Sequence, residues 1–568
     1  MTYPKAFRGI TVLIFSACLV CGCQRPGNPY PLIMEELSHP LKDSLLADSL
    51  HLTDTLSYHR VRIDPQGGIL PWYAANPGIS YDRVIRLVWD FWKNMETDSN
   101  GLKYYMNHQV WRPGHDKRGL GGDQLMMALS SWDLLYDYTG EKAVLDDMQY
   151  MADYYLSHSL SASSDAWPDL PYPYNTVVHS GFYDGDMILG KGYLQPDKAG
   201  SFGLELVHLY KKTGRVKYLE AAIRIANTLA RNIRPGDGNH SPWPFKVHAK
   251  SGEPGKLINR PEINKLPADS PFRASQPSVY ATNWTPTIRL FGELRTLGKG
   301  DTAGYAKAAG IALNWLKAYP AINNRWGPFF EDILGWSDCQ INAITYASYL
   351  MDHEQADPDW KNTVKSIFGW VHHNLDDREF EKYGVLTTDE QTIYRTPGNS
   401  HSSREASAEL RYWEKTADTA YVRNAIRELN WATYMVSSQG RNYYIRDDIW
   451  LTDGYGDYIR HYLRAMAAAP DLAPDGQDHL LASSTVIQDI SYNPSSIAYR
   501  GFDRASRERF RLREKPRRVS QDGMPIGEIP ATAVLPPDQS GWLWQSLPHG
   551  GGVLTIDKRQ GSRVEINW

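Results

Sequence analysis

The chain has 568 residues, 42% of them hydrophobic and 22% charged, with 61 basic residues against 65 acidic ones and a net charge of −4. That is enough chain to bury a full core. The composition excludes a disordered or fibrous protein, and the near-even charge gives no global attraction to nucleic acid or to an anionic membrane. Aromatics make up 12%, and the 35 Tyr and 19 Trp far outnumber the 14 Phe. The excess therefore lies in aromatics with a polar handle, which suit wet, amphipathic surfaces.

Residues 1–23 read as an address. Lys5 and Arg8 precede an apolar stretch over 10–20, which has the length of a signal core and is too short to span a bilayer. It closes on Leu19-Val20-Cys21-Gly22-Cys23. This resembles a bacterial lipobox, with an aliphatic residue three before, a small residue just before, and Cys23 as the residue to be lipidated. An ordinary cleaved signal is the alternative. The resemblance implies an outer-membrane lipoprotein, on the cell surface or the periplasmic face, that meets the membrane only through its lipid. Residues 24–75 open with Pro26, Gly27, Pro29 and Pro31 and are expected to be a tether. Work outside the cytoplasm removes ATP- and NAD-dependent chemistry, no Walker or Rossmann glycine motif occurs, and no cofactor is expected. Of the four cysteines only Cys339 lies beyond the address. The body thus has no internal disulfide, and Cys339 opens an apolar run as a buried thiol does.

Residues 76–475 alternate helical segments with two kinds of connection. Thr139-Gly140, Thr213-Gly214, Gly298 and Thr416-Ala417 mark short joins between helices, which give antiparallel pairs. The connections from each pair to the next run to roughly 20–45 residues, and long loops without structure of their own are usually functional. Six helices follow long loops and six do not. The expected fold is mainly α, an (α/α)6 toroid of six inner and six outer helices with the long loops at one mouth. Residues 476–568 switch to period-2 alternation with Gly, Pro and Asp turns, as in Ser484–Tyr492 and Gly552–Ile556. They are expected to form a small antiparallel, sandwich-like β-module.

This order of parts resembles the (α/α)6-toroid carbohydrate-active enzymes of glycan-degrading bacteria, both glycoside hydrolases and polysaccharide lyases. The resemblance covers roughly residues 80–568 and is architectural. The Arg-Gly-x-x-Trp and Asn-Trp-Trp signatures of particular families are absent. It implies a monomer acting on a poly- or oligosaccharide, with no nucleic-acid partner.

The loops carry the candidate chemistry. Trp and Tyr stack on sugar faces while charged groups take the hydroxyls. Trp111, Trp243, Trp326, Trp336 and Trp450 are candidate stacking residues, with core packing as the alternative for each. Arg112, Arg118, Lys191, Arg395 and Arg404 make the loops basic, as an acidic glycan (uronate-containing or sulfated) requires. Asp123 falls at a helix start, where it serves either as an acid or as an N-cap. Asp184 and Asp186 flank one glycine, close enough for one to hold the other protonated. Glu331 lies between Phe330 and Trp336, where burial raises a carboxyl toward a useful acid, and Asp338 follows, with capping as its alternative. A hydrolase needs two such carboxylates about 5.5 Å or about 6.5–9.5 Å apart. A lyase needs instead a group that neutralises a uronate and a proton acceptor. Tyr183, His179, Asn239, His240, Asn399 and His401 fit those roles. Carboxylates paired in two loops favour the hydrolase, with a lyase and a non-catalytic glycan-binding lipoprotein as alternatives. No His, Cys and Asp spacing matches a zinc site, and the sugar, the linkage, and endo or exo action are not encoded in any motif.

Overall fold

Three of the short joins share one device. Thr139, Thr213 and Thr416 each donate a side-chain bond to the carbonyl four residues back and accept one from the backbone N–H two residues on. The next residue is left-handed in each, Gly140 at φ 67°, Gly214 at φ 72° and Ala417 at φ 60°. Glycine adopts that conformation without strain, and the alanine is the departure. Each join reverses the chain within a few residues. In this computed structural model residues 50–106, 122–177, 180–186, 188–257, 276–330, 336–442, 455–530 and 539–568 are described.

Among the described residues there are twelve long helices: α1 (Pro77–Lys93), α2 (Gly122–Thr139), α3 (Lys142–His158), α4 (Pro196–Thr213), α5 (Val216–Asn232), α6 (Thr285–Thr296), α7 (Thr302–Ala318), α8 (Gln340–Asp352), α9 (Trp360–Leu375), α10 (Asn399–Thr416), α11 (Val422–Thr433) and α12 (Tyr455–Ala468). Each even-numbered helix packs on the next even-numbered one, and α12 packs back on α2. Five odd-numbered helices, α3 to α11, pack on the even-numbered helix before them, and α1 lies against α11 and α12. Burial follows this arrangement. Every residue of α10 from Asn399 to Leu410 is buried, whereas α5 buries one face through Tyr218, Leu219, Ala222, Ile225 and Leu229, the pattern of a helix with one side in water. Close approach of α4 and α6 depends on Gly200, where a Cβ would lie 1.9 Å from Thr287 Oγ1.

Residues 50–75 depart from the expected tether. β1 (Leu50–Leu56) and β2 (His59–Ile63) pair as an antiparallel hairpin. The His59 ring stacks on Trp72 at 3.8 Å, the Arg62 N–H donates to Tyr434 Oη, and Trp72 N–H donates to Thr433 Oγ1. The cause is the alternation of apolar and polar residues over 59–63, which buries Val61 fully and makes the segment a strap over α11.

Nine strands follow α12: β3 (His479–Ser483), β4 (Ile487–Asn493), β5 (Ser496–Gly501), β6 (Ser506–Leu512), β7 (Arg518–Gln521), β8 (Met524–Glu528), β9 (Gly541–Ser546), β10 (Gly552–Lys558) and β11 (Arg563–Asn567). Their spatial order is β3-β6-β10-β9-β8-β7-β11-β5-β4. Pairing is antiparallel except between β8 and β9, which run parallel at Gly527–Gly541 and Glu528–Trp542. The module is therefore not wholly antiparallel. It sits on the C-terminal ends of the even-numbered helices. Tyr492 Oη donates to the Asp137 carbonyl on α2, Gln488 Nε2 to the Lys211 carbonyl on α4, and Arg509 to the Ala467 carbonyl on α12 while pairing with Glu414 on α10. The helix starts consequently lie at the other end. Nearby, buried Lys212 holds Asp133 at 2.9 Å and Asp137 at 2.8 Å.

His479 belongs to this junction, stacked on Tyr138 at 3.7 Å with its Nδ1 bonded to the Tyr138 carbonyl. Burial brings its pKa down to about 4. In the unfolded chain it takes up a proton near its ordinary value of about 6.5. The folded form thus loses stability as pH falls from 6.5 toward 4. Thermal midpoints measured across that range are expected to drop more steeply for the native protein than for His479→Gln.

Candidate active site

The first turns of five even-numbered helices carry buried polar side chains that contact one another. At the start of α4, Asp197 and Lys198 are both buried. Lys198 Nζ lies 3.0 Å from Asp197 Oδ2, donates to the Phe329 carbonyl at 2.9 Å and stands 3.2 Å over the Phe329 ring. Asn283, just before α6, donates to the same Asp197 oxygen at 3.3 Å. Asp197 Oδ1 is buried with no hydrogen-bond partner among the described residues. On α8, Asn342 Nδ2 lies 2.9–3.1 Å from the carbonyls of Trp326, Gly327 and Pro328. Gln340 Nε2 donates to the His401 carbonyl at 2.8 Å, and its Oε1 accepts from Arg404 Nη1 at 2.9 Å. Arg404 on α10 also pairs with Asp457 on α12. Asp457 in turn pairs with Arg460 and lies 3.1 Å from His461 Nε2.

The electrostatics of this belt are specific. Burial, with Arg404 and His461 adding to it, holds His401 well below the ordinary imidazole range. Burial and the neighbouring Arg404, Arg460 and Arg464 do the same to His461. The same burial and positive neighbours that keep both rings uncharged also make them weaker bases than a free imidazole. Helix starts add partial positive charge, so the belt favours an anionic group.

The loop candidates separate. Asp184 and Asp186 do not form a pair. Asp184 Oδ1 accepts from the Thr176 N–H and Oγ1, and its Oδ2 meets Lys191 at 3.1 Å. Burial acts to raise the Asp184 pKa, but those partners outweigh it and the net shift is downward, opposite to the expected acid. Asp186 is buried against Lys246 at 3.1 Å and also accepts from Gln195 and the N–H groups of Ile188 and Leu189. Alternation along the extended segment sends the two carboxylates to different neighbours. Tyr183 is buried, donates to the Met106 carbonyl and has its pKa pushed upward by burial. Asp338 does not cap α8, whose N-cap position is Cys339. Its Oδ1 accepts from the N–H groups of Trp326 and Gly327 at 2.8 and 2.7 Å, and its Oδ2 from Trp336 Nε1 at 3.0 Å.

Trp243 and Trp326 are fully buried, so they are core rather than stacking platforms. Trp336 is half-buried, with Arg325 4.0 Å over its ring. Asn239 accepts from Arg325, and exposed His240 pairs with Asp237 at 2.9 Å. Arg395 pairs with Asp389 at the rim, and Asn399 is buried beside Asn442. Asp123 falls in the first turn of α2. His179, Glu331, Trp111, Arg112, Arg118, Trp450 and Cys23 lie outside the described residues. Loop reasoning missed Asp197, Lys198, Asn283, Gln340, Asn342, Asp457 and His461. The signal for them was polar residues in the first turns of helices otherwise apolar on every face, clearest in Asn399–Glu405.

A second concavity lies at the same end, since α3 runs antiparallel to α2 and ends there. It is a groove of about 510 Å³ lined by His158, Leu160, Tyr172, Phe182, Asp184 and Lys191. Phe182 is 58% exposed, which leaves its ring free to stack.

Solved structures of known enzymes are similar to this chain. Cellobiose 2-epimerase from Spirochaeta thermophila aligns with a TM-score of 0.50 at 12% identity, over 69% of this chain and 96% of that one. A family 76 glycoside hydrolase from a bovine Bacteroides thetaiotaomicron strain aligns at 0.42 and 11% identity, over 71% and 83%. A polysaccharide lyase aligns at 0.41 and 11%, over 70% and 97%. All three are (α/α)6-toroid carbohydrate-active enzymes, the group that the sequence resembles. No protein-family model matches the chain, and no curated protein sequence does.

The bonds of Asp338 make it a structural residue. Asp338→Ala is expected to cost about 1.5–3 kcal/mol, the worth of hydrogen bonds to a charged acceptor, and to lower the thermal midpoint correspondingly in a calorimetric scan.

Proposed function

We propose that this protein is a glycan-processing enzyme working outside the cytoplasm, anchored through Cys23, and that its even- and odd-numbered helices are the six inner and six outer helices of a toroid. The observation that carries the reading is the buried polar belt at the helix starts, with two neutral imidazoles beside Arg404. Among the described residues the belt carboxylates Asp197 and Asp457 are tied to Lys198 and Arg404, which suits them to charge balance. An uncharged imidazole can accept a proton, and a substrate anion bound beside it would offset the neighbouring guanidinium charge and strengthen it as a base. The chemistry that fits best is β-elimination on a uronate-containing glycan. A neutral imidazole takes the proton on the carbon next to the carboxylate, and that electron pair forms a carbon–carbon double bond. The bond to the neighbouring glycosidic oxygen breaks, and that oxygen leaves as a hydroxyl after taking a proton from water. The positive helix starts hold the substrate carboxylate and stabilise charge built up beside it.

Hydrolysis of an acidic glycan is the second reading. It is favoured by Asp197 Oδ1, buried without a hydrogen-bond partner among the described residues.

The test is incubation with a panel of acidic and neutral polysaccharides, reading reducing ends and ultraviolet absorbance of unsaturated product together. Elimination predicts both signals on a uronate polymer, and a loss of about 100-fold or more in His401→Ala or His461→Ala, the scale of a general base. Reducing ends without absorbance transfer the reaction to the carboxylates. Binding without either signal makes the protein a glycan-binding lipoprotein, and a changed sugar without chain shortening makes it an epimerase.

A further inference from the structure

Behind the belt, in the wall where α9, α10 and α11 meet, lies a second cluster of charged groups that the proposed reaction does not use. Glu405 and Glu409 sit one turn apart on α10, both fully buried. Glu428 on α11 is also buried. His372 on α9 faces them, its Nε2 2.8 Å from Glu409 Oε1. A nitrogen of His372 and one oxygen each of Glu405 and Glu409 all lie within 4.8 Å of one another. We propose that His372, Glu405 and Glu409 hold one divalent transition-metal ion, with Glu428 beside them.

Unsatisfied oxygens point to a cation. Glu405 Oε1, Glu409 Oε2 and Glu428 Oε2 are each buried with no hydrogen-bond partner among the described residues. Such atoms have given up water with nothing in return, which native interiors rarely tolerate. Thr388 Oγ1 lies 2.5 Å from Glu405 Oε2 and 2.9 Å from Glu428 Oε1, but a single hydroxyl proton serves only one of them. Among the described residues His372 is the one cationic partner of this group, shared with Asp376. A divalent ion supplies the missing charge at the centre.

The histidine is already oriented as a ligand. Its Nδ1 lies 3.0 Å from Asp376 Oδ1, and its ring is parallel to Tyr421 at 5.5 Å. A carboxylate on the far nitrogen is the usual support of a metal-bound histidine, fixing its tautomer and its direction. One imidazole with carboxylates is a donor set for zinc, manganese or iron(II) rather than for calcium or magnesium, which take oxygen alone. With bonds of about 2.0–2.2 Å, donors around one such ion stand up to about 4.2 Å apart. The present separations, all within 4.8 Å, lie close to that. The ligands lie on two helices, with only the four-residue Glu405–Glu409 interval visible as a spacing, so no sequence motif announces them.

An ion here would pin α9 to α10, whose Arg404 is next to Glu405 and reaches the belt. The test is elemental analysis of the full-length protein purified without chelator, alongside Glu405→Gln and His372→Gln. About one zinc, manganese or iron per chain is expected, reduced at least fivefold in the variants. The native protein stripped with chelator should also gain thermal midpoint on adding zinc or manganese(II) alone, and not on adding calcium. If the variants fail to fold, these two readings on the native protein decide. Absence of transition metal together with a midpoint unmoved by zinc or manganese overturns the proposal, because the cluster is then held by shared protons. Metal content unchanged in folded variants overturns it too, because the ion is then bound elsewhere.

Discussion

An α-helix leaves four backbone N–H groups without partners at its start. Here five such starts, those of α4, α6, α8, α10 and α12, are drawn together where water is largely excluded. The polar side chains around them bond mainly to one another rather than capping the helix N–H groups, and they sit in the partial positive charge of those starts. Gln340 and Arg404 bridge α8 to α10, Arg404 and Asp457 bridge α10 to α12, and Asn283 and Asp197 bridge α6 to α4. These contacts tie neighbouring helices together, and they gather imidazole, guanidinium, carboxylate and amide groups in one place. Stability and chemistry draw on the same groups.

The opposite end is closed in another way. Left-handed joins after Thr139, Thr213 and Thr416 bring the following odd-numbered helix straight back along its partner. Strands β3, β4 and β6 then dock on the C-terminal ends through backbone carbonyls, which are the acceptors left over there. Arg509 and Glu414, with Lys212 between Asp133 and Asp137, add buried ion pairs. Such pairs contribute little net stability, but breaking one is costly. The module thus contacts the end opposite to the belt.

Helices and their pairing were legible because periodicity and turn chemistry are local. The strap was not, because five alternating residues such as those of β2 look much like the polar stretch around them until α11 is there to receive Val61. Site residues were hardest, for two reasons. Aromatics in loops look like sugar platforms, yet Trp243 and Trp326 pack inward because loops this long carry their own core. Carboxylates close in sequence look like a catalytic pair, yet Asp184 and Asp186 are each fully engaged by different neighbours. His401 and Arg404 were read correctly as lying at a helix entrance. Their partners Gln340, Asp457 and His461 come from other helices, and no spacing within one segment reveals a contact made across a ring.

The central claim is that carbohydrate meets the chain at the ring of helix starts. Hydrogen–deuterium exchange on the full-length protein, with and without an acidic oligosaccharide that it processes or binds, tests this most directly. The account predicts slowed exchange confined to the first turns of α4, α6, α8, α10 and α12 and the loops that enter them. Protection restricted to the β-module, with the helix starts unchanged, would contradict it.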